Sequence, residues 1–239
     1  MPSSSRVVLI TGASGGLGGA VTAAFVSNGH QVIAIGRTNP QQALYSSFPD
    51  LENHADHLAF MTADVTNEES VRQLVQDIET RYRRLDVLIN SAGGFAGGQT
   101  VADTDSATWE HMIALNLRGT FLCSKYAAPL MIRQEWGRII NIASRAATER
   151  AARAAAYAVS KRGVVALTEA QAEELKEYHI TVNALLPSII DTPSNRRAMP
   201  NANFARWPKA EQIARVILFL ASEDAEIING AAIPVYGLA

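Results

Sequence analysis

One cysteine in 239 residues leaves no internal disulfide to build on. Cys123 stands alone, so the core must hold the fold, and a reducing cytoplasm is the expected setting. An excess of either charge is also missing. Twenty-one basic against 23 acidic residues give a net charge of −2, which offers nothing to nucleic acid or to an anionic membrane surface. No apolar run is long enough to cross a bilayer. The opening Met1-Pro-Ser-Ser-Ser-Arg-Val7 lacks the basic-then-apolar layout of a secretion signal. His54, Asp56 and His57 cluster in a polar loop with no third histidine or cysteine nearby, so no metal site is expected. Repeats and low-complexity linkers are absent too, which points to a single domain over 1–239.

What is present is a hydrophobic content of 48%, enough for a large core. Short β-branched runs alternate with helical patterns. Strands are expected at 6–11, 31–35, 57–63, 86–90, 138–143, 180–186 and 231–235. Helices are expected at about 16–28, 67–83, 106–134, 154–178 and 209–221, the third disturbed at Pro129. Such alternation implies an α/β fold, a parallel sheet with helices on both faces. The stretch 187–208 breaks the rhythm with four prolines and no clear period, and loops of that length are often lids.

Three features carry chemistry. The first is Thr11-Gly-Ala-Ser-Gly-Gly-Leu-Gly18, between the first strand and the first helix. Glycines at 12, 16 and 18 allow a sharp turn and close approach of a ligand, and the helix N-terminus offers free N–H groups to a pyrophosphate. The second is Ile35-Gly-Arg-Thr38 at the end of the second strand. No carboxylate stands there for ribose hydroxyls, whereas Arg37 can pair with a 2′-phosphate, so NADP(H) is expected over NAD(H). The third is the trio Ser144, Tyr157 and Lys161. Tyr157 and Lys161 are four apart and share a helix face. A cation beside a phenol is expected to lower its pKa from about 10 and make it an acid or base near neutrality.

Together these residues resemble the short-chain dehydrogenase/reductase family over nearly the whole chain. The resemblance rests on the Thr11–Gly18 turn, Asp64-Val65, Asn90-Ser-Ala-Gly93, Asn116, Ser144 and Tyr157-x-x-x-Lys161. It implies a Rossmann-type, doubly wound, seven-stranded parallel sheet, usually assembled as tetramers or dimers. It implies hydride transfer between a carbonyl and a secondary alcohol, with Tyr157 as acid/base. Lys161 would hold the nicotinamide ribose, Ser144 would orient the carbonyl, and the Asn116 backbone would hold a water behind Lys161. The cofactor set so implied, with the glycine turn, is Gly12, Ser14, Gly15, Gly16, Leu17, Gly18, Arg37, Asp64, Val65, Asn90, Ala92, Gly93, Tyr157, Lys161, Pro187, Ile190 and Thr192.

The segment from Leu186 through Trp207, and the loop Ala92-Gly-Gly-Phe-Ala-Gly-Gly98, resemble instead the dihydropteridine reductases of the same family. Those enzymes lack the serine and carry an acidic residue after the second strand. This chain has Ser144 and Gly36-Arg37. Carbonyl reduction is therefore the first reading, and reduction of a quinonoid pterin or quinone the second. A module that senses NADP(H) without turnover is the third; such proteins tend to lose the tyrosine or lysine that this chain keeps. Other residues stay open. Arg145, Arg150 and Arg153, and Arg196 and Arg197 in the lid, could attract an anionic substrate or be solvated. Phe95 and Trp207 could wall an apolar substrate or pack internally. Val164, Val165 and Leu167 could face a second subunit, as the corresponding helix does in this family. Cys123 fits buried filler better than a nucleophile.

Overall fold

Seven apolar runs become parallel strands in the computed structural model, which describes residues 5–239. They are β1 (Val7–Thr11), β2 (Gln31–Gly36), β3 (Leu58–Thr62), β4 (Val87–Asn90), β5 (Gly137–Ile142), β6 (Ile180–Pro187) and β7 (Ala232–Val235). Their order across the sheet is β3-β2-β1-β4-β5-β6-β7. Every residue of β1, β4 and β6 is buried, as continuous apolar runs require when helices cover both faces. The chain builds outward from β1 to β3, returns to the centre at β4, and builds outward again. The connections that leave the C-terminal ends of β1 and β4 therefore run to opposite sides, which opens the crevice where ligands bind in such sheets.

Helices α1 (Gly16–Ser27) and α8 (Ala210–Leu220) pack on one face, around Val8, Ile10, Val21, Phe25, Ile213 and Ile217. On the other face, α3 (Glu68–Tyr82) and α5 (Gly119–Gln134) cover Leu9, Ile33 and Leu88. Helix α3 shows how the sequence sets the element. Asn67 caps it by accepting from Ser70 N at 3.0 Å, and Arg83 ends it in the left-handed region. Val71, Leu74, Val75 and Ile78 line one buried stripe, each contributing roughly 1.5–3 kcal/mol.

Three details differ from expectation. The disturbance in the long third helix is not at Pro129. It is a π-helical stretch at Ile113–Arg118, between α4 (Ser106–Met112) and α5. Pro129 sits inside α5 on an exposed face, so the Lys125 carbonyl left without its helical donor can reach water. A short helix, α2 (Gln41–Ser47), and a 3-10 stretch at Pro49–His57 fill the segment before β3. The irregular 187–208 stretch holds a further short helix, α7 (Pro193–Ala198), capped by Thr192. Thr-Pro at its start is an N-cap and N1 signal that could have located it.

Candidate active site

The crevice between β1 and β4 is a cleft of about 360 Å³. Of the expected cofactor residues it is lined by Gly12, Ser14, Gly15, Gly16, Leu17, Gly18, Arg37, Val65, Ala92 and Gly93. Ile35, Gly36, Ala63, Ser91 and Leu115 line it as well. Sequence reasoning left these five out of the cofactor set, although Ile35 and Gly36 lead into Arg37, and Ala63, Ser91 and Leu115 each adjoin a residue it chose. Gly12 has φ of +67°, and a Cβ there would lie 2.8 Å from the Ala92 Cα. A Cβ on Gly18 would collide with the Gly12 carbonyl oxygen. Thr11 Oγ1 ties the two strand ends together, accepting from Ser91 N at 3.0 Å and Ala92 N at 2.9 Å. The cradle is thus shaped by missing side chains, as a backbone bed for phosphate requires.

Arg37 is exposed at one end of the cleft. Asp64 lies beside it. The Thr66 hydroxyl and N–H, at 2.7 and 2.9 Å, hold the Asp64 carboxyl below its ordinary range, and the Arg37 charge adds to this. Asp64 is therefore a fixed carboxylate next to the guanidinium.

At the other end stand Asn116, Ser144, Tyr157 and Lys161. Helix α6 (Ala155–Leu175) carries Tyr157 and Lys161 on one face, as their spacing requires. Ser144 follows β5, where its hydroxyl accepts from Ala146 N at 3.2 Å. Lys161 is buried and donates from Nζ to the Ile142 carbonyl at 2.7 Å. Asn116 is fully buried in the π-helical stretch. Its Oδ1 accepts from Gly94 N at 2.9 Å, and its Nδ2 donates to Gly94 O at 3.1 Å and Ser160 Oγ at 3.0 Å. Its backbone carbonyl accepts from Thr120 Oγ1 at 2.8 Å. A Cβ on Gly93 would sit 3.0 Å from Asn116 Oδ1 and 3.2 Å from Lys161 Nζ. Gly93 therefore joins the cleft to this cluster. Stretches of π-helix recur at functional sites, and here one aims Asn116 at the loop after β4.

The electrostatics correct one expectation. Lys161 does not pull the Tyr157 phenol below its ordinary value. Burial pushes the phenol up, and a hydrogen bond with Ser144 opposes the rise. Burial also lowers Lys161 to about 8, so its own charge is weakened, and its ammonium is turned to the Ile142 carbonyl. The Phe95 ring lies edge-to-face on Tyr157, with centroids 5.0 Å apart and planes at 74°.

Other expected residues lie around this core. Asn90 is buried with its amide turned into the sheet, donating to Ser124 Oγ at 3.2 Å and Asn141 Oδ1 at 2.8 Å. Pro187 ends β6, and Ile190 is half-buried against the α1–α8 side of the core. Thr192 reaches the glycine turn: a Cβ on Gly16 would lie 2.6 Å from Thr192 Cγ2. Trp207 is buried, its ring 5.0 Å from Phe204, so it packs within the 187–208 segment. Arg196 is held by Asp191 at 2.6 and 2.8 Å, and Arg145 by Glu149 at 3.2 Å. Arg153 donates to the Gly98 carbonyl at 3.3 Å. Cys123 is buried, and its thiol is pushed up to about 12.

Comparison with known proteins agrees with this geometry. The short chain dehydrogenase family profile matches residues 6–203. The chain is 32% identical to the 3-oxoacyl-[acyl-carrier-protein] reductase FabG of Thermotoga maritima, covering 97% of this chain and 96% of that one. It is 31% identical to the 3beta-hydroxysteroid dehydrogenase of Mediterraneibacter gnavus, over 95% of this chain and 91% of the other. Its fold superposes on the structure titled ElxO with NADP bound at a TM-score of 0.90, with 28% identity and 98% of both chains covered. The glycine cradle, the Ser144–Tyr157–Lys161 cluster and these likenesses agree: the chain belongs to the short-chain dehydrogenase/reductase family, oxidoreductases that interconvert carbonyl and alcohol groups.

Proposed function

We propose that this oxidoreductase prefers NADP(H) and uses Tyr157 as the acid/base at a secondary alcohol or ketone. The observation that carries the reading is that the cleft lined by the glycine turn and Arg37 also takes in Gly93, where a Cβ would lie 3.2 Å from Lys161 Nζ, on the helix that carries Tyr157. When bound, the dinucleotide supplies or accepts the hydride. Everything else falls to the chain's own side chains. Tyr157 gives its phenolic proton to the carbonyl oxygen in reduction and takes it back in oxidation. Ser144 donates to the same oxygen and fixes its direction. Lys161 holds the ribose hydroxyls, and Asn116 braces the loop at Gly94 so that Gly93 leaves Lys161 room. The turn 12–18 holds the pyrophosphate, with Asp64 and Val65 at the adenine. Pro187, Ile190 and Thr192 close over the nicotinamide end as part of a lid at about 187–208.

Arg37 decides the cofactor. A charge-assisted bond to a 2′-phosphate is worth roughly 1.5–3 kcal/mol. Arg37→Ala should weaken NADPH about ten- to a hundredfold and leave NADH nearly unchanged, as read by fluorescence titration. Equal loss for both would remove the assignment.

The lone cysteine and the family likeness support a cytoplasmic enzyme that works as a homo-oligomer, a tetramer or a dimer. Val164 does not serve such an interface, because it is fully buried within its own subunit. Phe121 and Val159, exposed on α5 and α6, are the better candidates. The relatives' names run from acyl chains to steroids, so the substrate has to be read from this chain's own pocket.

A further inference from the structure

We propose that Phe95 determines substrate class: its ring is the wall on which a flat, apolar substituent of the carbonyl is laid beside Tyr157. Three observations support this. First, Phe95 is 70% exposed, more than any other aromatic side chain among the described residues, yet it is not loose. Its edge-to-face contact with Tyr157 at 5.0 Å fixes where it stands. Second, the loop is built to put it there. A Cβ on Gly97 would lie 2.6 Å from the Phe95 Cζ and 3.2 Å from the Arg153 carbonyl, so glycine is what lets the ring fold back. Gly98, at φ of +100°, then donates from its N–H to the Arg153 carbonyl at 2.7 Å, while Arg153 Nη1 donates to the Gly98 carbonyl. The loop is thereby stapled to the segment that leads into Tyr157. Third, apart from Ser144, which serves the carbonyl oxygen, the polar side chains near the phenol each have a partner within the chain. Asn116 is bound to Gly94 and Ser160, Lys161 to Ile142, and Arg153 to Gly98. The exposed side chain in contact with the phenol ring is thus an aromatic one, and a flat apolar substrate group gains by covering it.

This inference rests on carbonyl chemistry at Tyr157 and not on the choice of cofactor. It is tested with two methyl ketones, acetophenone and butan-2-one, at saturating NADPH. The wild type should favour acetophenone in kcat/KM. Phe95→Ala should cut that preference about tenfold, the scale of one aromatic contact, while butan-2-one changes little. Gly97→Ala keeps the ring but pushes it off its seat, and should erode the same preference. A general folding defect would lower both ketones together and leave their ratio alone. A ratio that survives Phe95→Ala, or a wild type without a preference for acetophenone, overturns the proposal. Tyr157→Phe supplies the separate control, since activity surviving it would refute the chemistry and not the wall.

Discussion

At the scale of single residues, the site is governed by burial as much as by neighbouring charge. The pair Tyr157 and Lys161 was legible from a spacing of four, and so was their shared face. The sign of the phenol's shift was not, because it depends on how deeply α6 presses the ring under Phe95 and on where the ammonium turns. Alcohol oxidation needs the phenol deprotonated, so its rate rises with pH through the Tyr157 pKa. Ser144 opposes the upward shift, and Ser144→Ala should therefore move that rising limb to higher pH; a shift to lower pH would contradict the account. Lys161 makes a stability prediction. Its pKa is about 8 when folded and 10.5 in the open chain, so between those values the unfolded chain binds the proton that the folded protein has released. Stability from this group therefore rises with pH across that window, by roughly 3 kcal/mol at most at about 1.4 kcal/mol per unit. Tyr157, shifted upward, contributes the opposite sign only above 10. Wild type should gain on Lys161→Met in melting temperature between about pH 8 and 9.5. Parallel melting curves across that range would count against a buried, weakened Lys161.

At the scale of elements, the glycine turn was the most readable piece. Its spacing forecast a backbone cradle, and the positive φ at Gly12 and the closeness of Gly18 to the Gly12 carbonyl supply the reason. Gly18→Ala should abolish NADPH binding and lower the melting temperature, since the clash is with backbone that cannot move aside; near-normal affinity in titration would refute the cradle. The π-helical stretch was not readable. Ile113–Arg118 has no glycine or proline to mark it, and its one distinction is tertiary: Asn116 bonds Gly94 and Ser160 at once. The short helix α7 was missed for another reason. Six residues give no period, and only its Thr192-Pro193 start marks it.

At the scale of the whole molecule, alternation of strands and helices was enough to forecast the parallel sheet. What alternation cannot show is how the N-terminal ends of the strands are tied. Opposite the site, two buried arginines lie against Trp136, with Arg6 3.6 Å and Arg138 4.4 Å from its ring. Arg138 also donates to the carbonyls of Ser222 at 3.3 Å, Gly137 at 2.9 Å and His179 at 3.1 Å, joining β5 to the chain after α8 and before β6. Arg138→Ala leaves those carbonyls without their donor and opens a cavity, a loss of about 2–5 kcal/mol. Thermal unfolding should show that loss while the KM for NADPH stays unchanged. A changed KM with unchanged melting would mean that this end of the sheet is not simply structural.

The most direct test of the central claim is reduction of one ketone by Tyr157→Phe, with NADPH binding measured on the same sample. Phenylalanine keeps the ring and its contact with Phe95 and removes only the proton donor. The account predicts bound cofactor, a native melting profile, and turnover lowered at least about a hundredfold. Turnover near that of the wild type in a protein that still binds NADPH would contradict it.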